Sequence, residues 1–210
     1  MFKRFAVLLG AYLLMALGIS LQNNALLGSP PIGSLPYALF RITGLSVGSI
    51  TFLMNMVFLA GQKAMLGPLC GRAYFWQIPA TLLFSVMIDL GMWLSRPLIN
   101  DVYALQTLMV LGGCLILAAG IFLQISCALV FLPADGMAAA LSQRFGWNFG
   151  RSKIGLDLFL MSLSVIASWL ALGEVVGVRE GTLAAALLLG NLIRFFLDRW
   201  GASVRAWLGV

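Results

Sequence analysis

The chain has 210 residues, of which 61% are hydrophobic and only 10% charged, too few polar groups to coat a soluble domain. A mean hydropathy of +1.01 places it in a bilayer. Histidine is absent, which removes the commonest metal ligand and the usual general base of a nucleophile pair; the net charge of +6 must be explained by where the charges lie.

Crossing about 30 Å of hydrocarbon takes about 20 residues per helix. Stretches that meet this are approximately 5–27, 49–66, 74–95, 104–129, 153–172 and 181–198. Lys3 and Arg4 precede the first, but no small-residue cleavage site follows, so it is expected to stay as a span. Next comes Gly28-Ser29-Pro30-Pro31-Ile32-Gly33-Ser34-Leu35-Pro36, then Tyr37–Phe40 and Thr43–Gly48. This linker is too apolar for an exposed loop and too short to span. It predicts a Pro/Gly-broken helix that is either re-entrant or lying at the interface. The second span carries Asn55 and the third Asp89. The fourth carries Gln124, as the first carries Gln22. Cys70, Cys114 and Cys127 are far apart in sequence; without histidine they suggest no metal site, and no cofactor is expected.

After the fourth span the pattern recurs. Leu132-Pro133-Ala134-Asp135-Gly136 is followed by Met137–Phe145 and Gly146–Gly150, then by a span bearing Arg151, Lys153 and Asp157. The turn Gly177–Thr182, with Arg179 and Glu180, either caps the last span or lines an outer vestibule. That span holds Asn191 and an Ala186-x-x-x-Gly190 pattern that permits close packing. The tail Arg199–Val210 reads as a short surface-lying helix.

With the N-terminus inside, the cytoplasmic segments collect Lys3, Arg4, Lys63, Arg72, Arg144, Arg151, Lys153, Arg194, Arg199 and Arg205. The outer segments hold only Arg41, Arg96 and Arg179. This bias predicts cytoplasmic termini and explains the basic excess without nucleic acid.

Residues 8–59 and 110–161 repeat each other without a gap, at an offset of 102. Gly10, Gly18, Gln22, Pro31, Gly44 and Gly48 recur as Gly112, Gly120, Gln124, Pro133, Gly146 and Gly150, among apolar identities such as Ile19 with Ile121. Three spans per repeat is an odd number, so the second half enters the membrane inverted. The chain therefore divides into repeat one, 1–102, with its broken linker 28–48, and repeat two, 103–210, with its broken linker 130–150, in one integrated membrane domain. The expected fold is an all-α polytopic membrane protein of six transmembrane helices in two inverted-topology three-helix repeats.

The offset also pairs the intramembrane polar residues: Gln22 with Gln124, Asn55 with Asp157, and Asp89 with Asn191. Such groups are costly in lipid and face a cavity or bond between helices. Asp157 stands four residues after Lys153, so the two share a helix face as a neutralising or switchable ion pair. The broken linkers supply helix N-termini, with Ser29 and Ser34 as hydroxyl donors. The expected solute site is thus Gln22, Ser29, Ser34, Asn55, Gln124, Arg151, Lys153 and Asp157, with Asp89, Asp157 and Asn191 in ion or proton coupling. Arg151 and Lys153 favour an organic anion or carboxylate-bearing metabolite; Asp135 opposes this on its own side.

The segments Gly28–Leu39 and Gly44–Asn55 resemble the bacterial YczE/YitT-like family of small integral membrane proteins. So do Gln77-Ile78-Pro79 with Ile88-Asp89, Phe149–Asp157 and Val178–Thr182. The resemblance covers nearly the whole chain and implies a bacterial inner (plasma) membrane location; the family has no established substrate or catalytic residues to carry over. Without a P-loop or an assembled catalytic constellation, the chain reads as a secondary transporter or permease for a small solute, and not as an enzyme. The alternative is a membrane-embedded binding or accessory subunit, working as a homodimer or with a partner membrane protein.

Overall fold

A computed structural model describes residues 2–67, 71 and 73–210; Cys70 and Arg72 lie outside the described residues. The described chain folds as α-helices α1 (Phe2–Asn24), α2 (Ser34–Thr43), α3 (Val47–Leu66), α4 (Ala73–Ser95), α5 (Tyr103–Cys127), α6 (Pro133–Phe145), α7 (Phe149–Leu172) and α8 (Glu180–Leu208). Single 3₁₀ turns at Pro31–Gly33 and Arg96–Leu98 precede α2 and follow α4. Six helices, α1, α3, α4, α5, α7 and α8, are long and apolar enough to cross a membrane. Large apolar side chains such as Val57, Leu108, Leu170 and Leu187 are exposed on the outside of the bundle, as lipid contact requires.

The helix boundaries follow local chemistry. Ser46 caps α3 by accepting from the Ser49 N–H, and Asn148 caps α7 by accepting from the Gly150 N–H. Gly44, Gly146 and Gly173 end α2, α6 and α7 in the left-handed conformation. At α8, the backbone N–H of Arg179 donates to the Thr182 hydroxyl, and the Thr182 N–H donates back to Arg179 O. The Gly177–Thr182 turn therefore serves as a cap, and Arg179 also reaches Leu26 O at 3.0 Å. One expectation is revised here: the tail is no separate surface helix. α8 runs unbroken to Leu208, with Arg194 and Asp198 paired across one turn and Trp207 lying under the Lys3 ammonium, 5.5 Å from the ring centroid. Gly201 is the only weak helix former in this stretch, and its backbone stays helical.

The centre of the bundle is α1 against α5. Arg4 donates to Cys127 O and Ala128 O, so the start of α1 meets the end of α5 and the two helices run antiparallel. Their approach is close because the contacts are glycine. A Cβ on Gly18 would stand 2.7 Å from Gly113 O and 2.6 Å from Leu117 N; one on Gly120 would stand 2.8 Å from both Ala11 O and Met15 N. At an offset of 102, these two contacts exchange. α4 then packs on α1 and α8 on α5, while α2 lies on α7 and α6 on α3. Each short helix is thus held by a long helix of the other half. The exchange fails at one pair: α3 packs along α4, whereas their counterparts α7 and α8 barely touch.

Candidate functional site

That missing contact leaves space. A cavity of about 770 Å³ lies between the halves, lined by all six long helices, with α3 and α7 contributing from their first residues onward, and by both short-helix segments. Its walls respect the repeat: Met15 faces it with Leu117, Ile19 with Ile121, Val47 with Phe149, and Pro30 with Leu132. On the α4 side the wall is Phe84 and Ile88; on the α8 side the equivalents are Ala186 and Gly190. Two large side chains seal the first position and two small ones leave the second open. Ile154 and Leu158 of α7 line the same opening and are exposed.

Within this apolar space three polar positions recur as a set. The second half supplies Asp135, Lys153 and Asp157; the first supplies Gly33, Thr51 and Asn55 at the equivalent places. Lys153 Nζ stands 3.5 Å from Asp135 Oδ1 and 3.3 Å from Asp157 Oδ1, with about a quarter of each side chain accessible. Asp135 is brought there by α6, where Pro133 starts the helix and the acid falls in its first turn, favourable to the helix dipole. Lys153 and Asp157 come from one face of α7. On the other wall, Asn55 is 3% exposed and its Oδ1 has no hydrogen-bond partner. Thr51 donates to Val47 O of its own helix.

Of the residues expected at the site, the cavity gathers Asn55, Lys153 and Asp157. The others lie elsewhere. Gln22 is fully buried in the α1–α5 interface, donating to Gly18 O and accepting from the Cys114 thiol at 3.7 Å. Gln124 is buried on α5 facing the Tyr12 hydroxyl, with neither amide atom in a hydrogen bond of regular geometry. Ser34 donates to Pro31 O, and its carbonyl accepts from Ser164 of α7, tying the first linker to that helix. Ser29 is buried, with its N–H on Gly177 O. The Ser34 hydroxyl is thus spent on folding the linker, whereas the buried Ser29 hydroxyl has no hydrogen-bond partner and does not reach the cavity. Arg151 is exposed at the start of α7. Asp89 binds the beginning of α3, accepting from Ser46 Oγ and Gly48 N–H at 2.7 Å each, on the far side of α3 from the cavity. Asn191 is exposed on α8 and bonds only to Leu187 O.

Asp135 is the residue that sequence reasoning undervalued. The signal was an acid in a broken linker ahead of an intramembrane lysine, which a cap alone explains poorly. Its arrival changes the electrostatics. With Arg151 outside, the charged lining is two carboxyl groups and one ammonium, a formal charge of −1 with both acids ionised, which runs against the anionic solute expected from Arg151 and Lys153.

Comparison with known proteins agrees with the membrane architecture. The chain is 25% identical over 200 residues, 93% of its length, to "Uncharacterized membrane protein YczE" of Bacillus subtilis (strain 168), of which the match covers 86%. No solved structure matches it. The profile of a family of unknown function, DUF6198, matches residues 2–198, and the chain belongs to that YczE-like membrane family.

Proposed function

We propose that the protein is a secondary transporter or permease for a small solute, built from two inverted repeats with one site between them, and performs no catalysis. The observation that carries this reading is the central cavity, whose lining positions exchange between the halves and which holds the only partly buried cluster of three charged side chains among the described residues. The antiparallel α1 and α5, and the exchange of their glycine contacts, support the inverted arrangement. The two short-helix segments border the same cavity as Phe84 and Ile88 from the middle of α4, which supports reading them as re-entrant. On this reading the protein sits in the bacterial inner membrane with both termini in the cytoplasm.

Two arrangements of the bundle, opening the cavity alternately to each side, are what transport requires. The Lys153 cluster is the natural point of control, since a solute that competes for either carboxylate changes the charge balance across α6 and α7. The test is solute flux into liposomes containing only the purified chain, against liposomes containing Asp157→Asn. Flux that depends on Asp157 supports a permease. Ligand binding without flux would assign the chain to the accessory-subunit class and direct the search to a partner.

A further inference from the structure

Resting on the cavity as the solute site, we infer that its ligand is an ammonium-bearing molecule with an apolar body, entering from the lipid between α7 and α8. Three independent features of the cavity carry this. The walls are aliphatic and aromatic, so a body of drug-like size is accommodated without polar groups of its own. The lining holds two carboxyl groups to one ammonium, a formal charge of −1 with both acids ionised, so a monocation brings it to neutrality and an anion makes it worse. The remaining unpaired polar group is the Asn55 amide, whose Oδ1 is buried, unpartnered and on the cavity wall, an acceptor beside its own Nδ2 donor. Asp157 Oδ1, although 3.3 Å from Lys153, is not aligned for a hydrogen bond either. An ammonium has three N–H donors and no acceptor, which complements this set; a carboxylate would find Lys153 already held by two acids.

Entry follows from the gap. Ala186 and Gly190 stand where α4 has Phe84 and Ile88, and exposed Ile154 and Leu158 frame the opening, so its rim is apolar and faces the bilayer. A molecule with an apolar body concentrates in lipid before it binds.

The probes are 4-phenylbutylammonium, 4-phenylbutanoate and 4-phenylbutan-1-ol, equal in carbon count and different in head group. Their binding is measured calorimetrically to the full chain in lipid nanodiscs, with empty nanodiscs subtracted. The ammonium should bind saturably and at least tenfold tighter than the other two. Asp157→Asn should remove that preference, and Asn55→Asp, which adds a carboxylate at the unpartnered acceptor, should tighten ammonium binding severalfold. Because Asn55→Asp gains affinity, its outcome cannot be explained by misfolding. Equal binding of all three probes, preference for the carboxylate, or no binding of the ammonium would overturn the ligand class. The site reading stands apart from it: carboxylate binding abolished by Lys153→Met would keep the cavity and discard the amine.

A second observation bears on how the opening closes. In the first half, Asp89 of α4 grips Ser46 Oγ and Gly48 N–H at the start of α3, and Gly48 has no side chain to hold the helices apart. The equivalents Asn191, Asn148 and Gly150 are all present, exposed and separate: Asn148 caps its own helix and Asn191 bonds within α8. We propose that the α7–α8 gap is a lateral gate that shuts when Asn191 reaches Asn148 and Gly150, as Asp89 holds the first half shut. Asn148→Cys with Asn191→Cys, in a background with the native cysteines replaced by serine, should form a disulfide in oxidised membranes. Ser46→Cys with Asp89→Cys gives the rate for a closed pair. A cross-linking rate at the level of either single cysteine would refute the gate.

Discussion

If the two halves meet through Gly18 and Gly120, a single methyl at either should push α1 and α5 apart, and the same methyl one helical face away should do nothing. For Gly18→Ala the new Cβ would sit 2.6 Å from Leu117 N and 2.7 Å from Gly113 O; for Gly120→Ala the nearest atoms are Met15 Cγ at 2.6 Å, then Ala11 O and Met15 N at 2.8 Å. Most of these partners are main chain, so no rotamer change relieves the overlap and the helices must separate. Overpacking costs about 1–3 kcal/mol, and backbone against backbone falls at the upper end. For a chain of this size, about 3 kcal/mol corresponds to a fall in Tm of about 6–12 °C. The repeat supplies the controls. Gly10 and Gly112 are equivalent helical glycines with no atom within 4 Å of an added Cβ, so their alanine variants should melt as the parent does or slightly higher. The double variant Gly18→Ala/Gly120→Ala should fall by less than the sum, since one separation accommodates both methyls. The assay is loss of monodisperse protein on heating in detergent, read by size-exclusion chromatography. Four variants with one common Tm would refute the interface described here.

The ion cluster makes a different demand. Lys153→Met leaves two partly buried carboxylates without their cation and should lower Tm, while Lys153→Met combined with Asp135→Asn and Asp157→Asn should recover most of the loss. Arg4→Gln removes the guanidinium that caps the end of α5 and should cost about 1–2 kcal/mol, measured by the same assay. A cysteine at Ser34 should resist membrane-impermeant maleimide from both sides, because the position has 0% exposure; rapid labelling from outside would make the first linker a surface segment. Reporter fusions at both ends should be active only in the cytoplasm, as the distribution of Lys and Arg requires. In a flux assay Asp157→Asn should impair transport more than Asn55→Asp, because Lys153 pairs with the former residue alone.

The spans, the short helices and their correspondence were all legible in the sequence, because each rests on local chemistry. An apolar run of given length, a Pro or Gly at a break and a capping side chain act over a few residues. Hence residues 31–43 and 133–145 could be matched before either was seen to be helical. Asn55, Lys153 and Asp157 were also within reach, since polar groups on a spanning helix have few places to go. Local pattern could not determine which polar residue faces which neighbour. Gln22, Ser34 and Asp89 look as functional as Asp157 in sequence, yet one lies in the α1–α5 seam, one ties a linker and one clamps α3 to α4. Nor could it show that Ala186 and Gly190, which permit close packing, instead stand where two large residues are missing. Tail and span form one helix, which sets Trp207 against Lys3 at the opposite end of the chain, a contact that local pattern does not show. The sequence by itself determined that this is an all-α membrane protein with six helices long and apolar enough to span, because those signals are additive along the chain. Only the tertiary structure decided where the cavity lies, that Asp135 joins Lys153, and that two carboxyl groups there face one ammonium, because those depend on distances between helices that no single helix encodes.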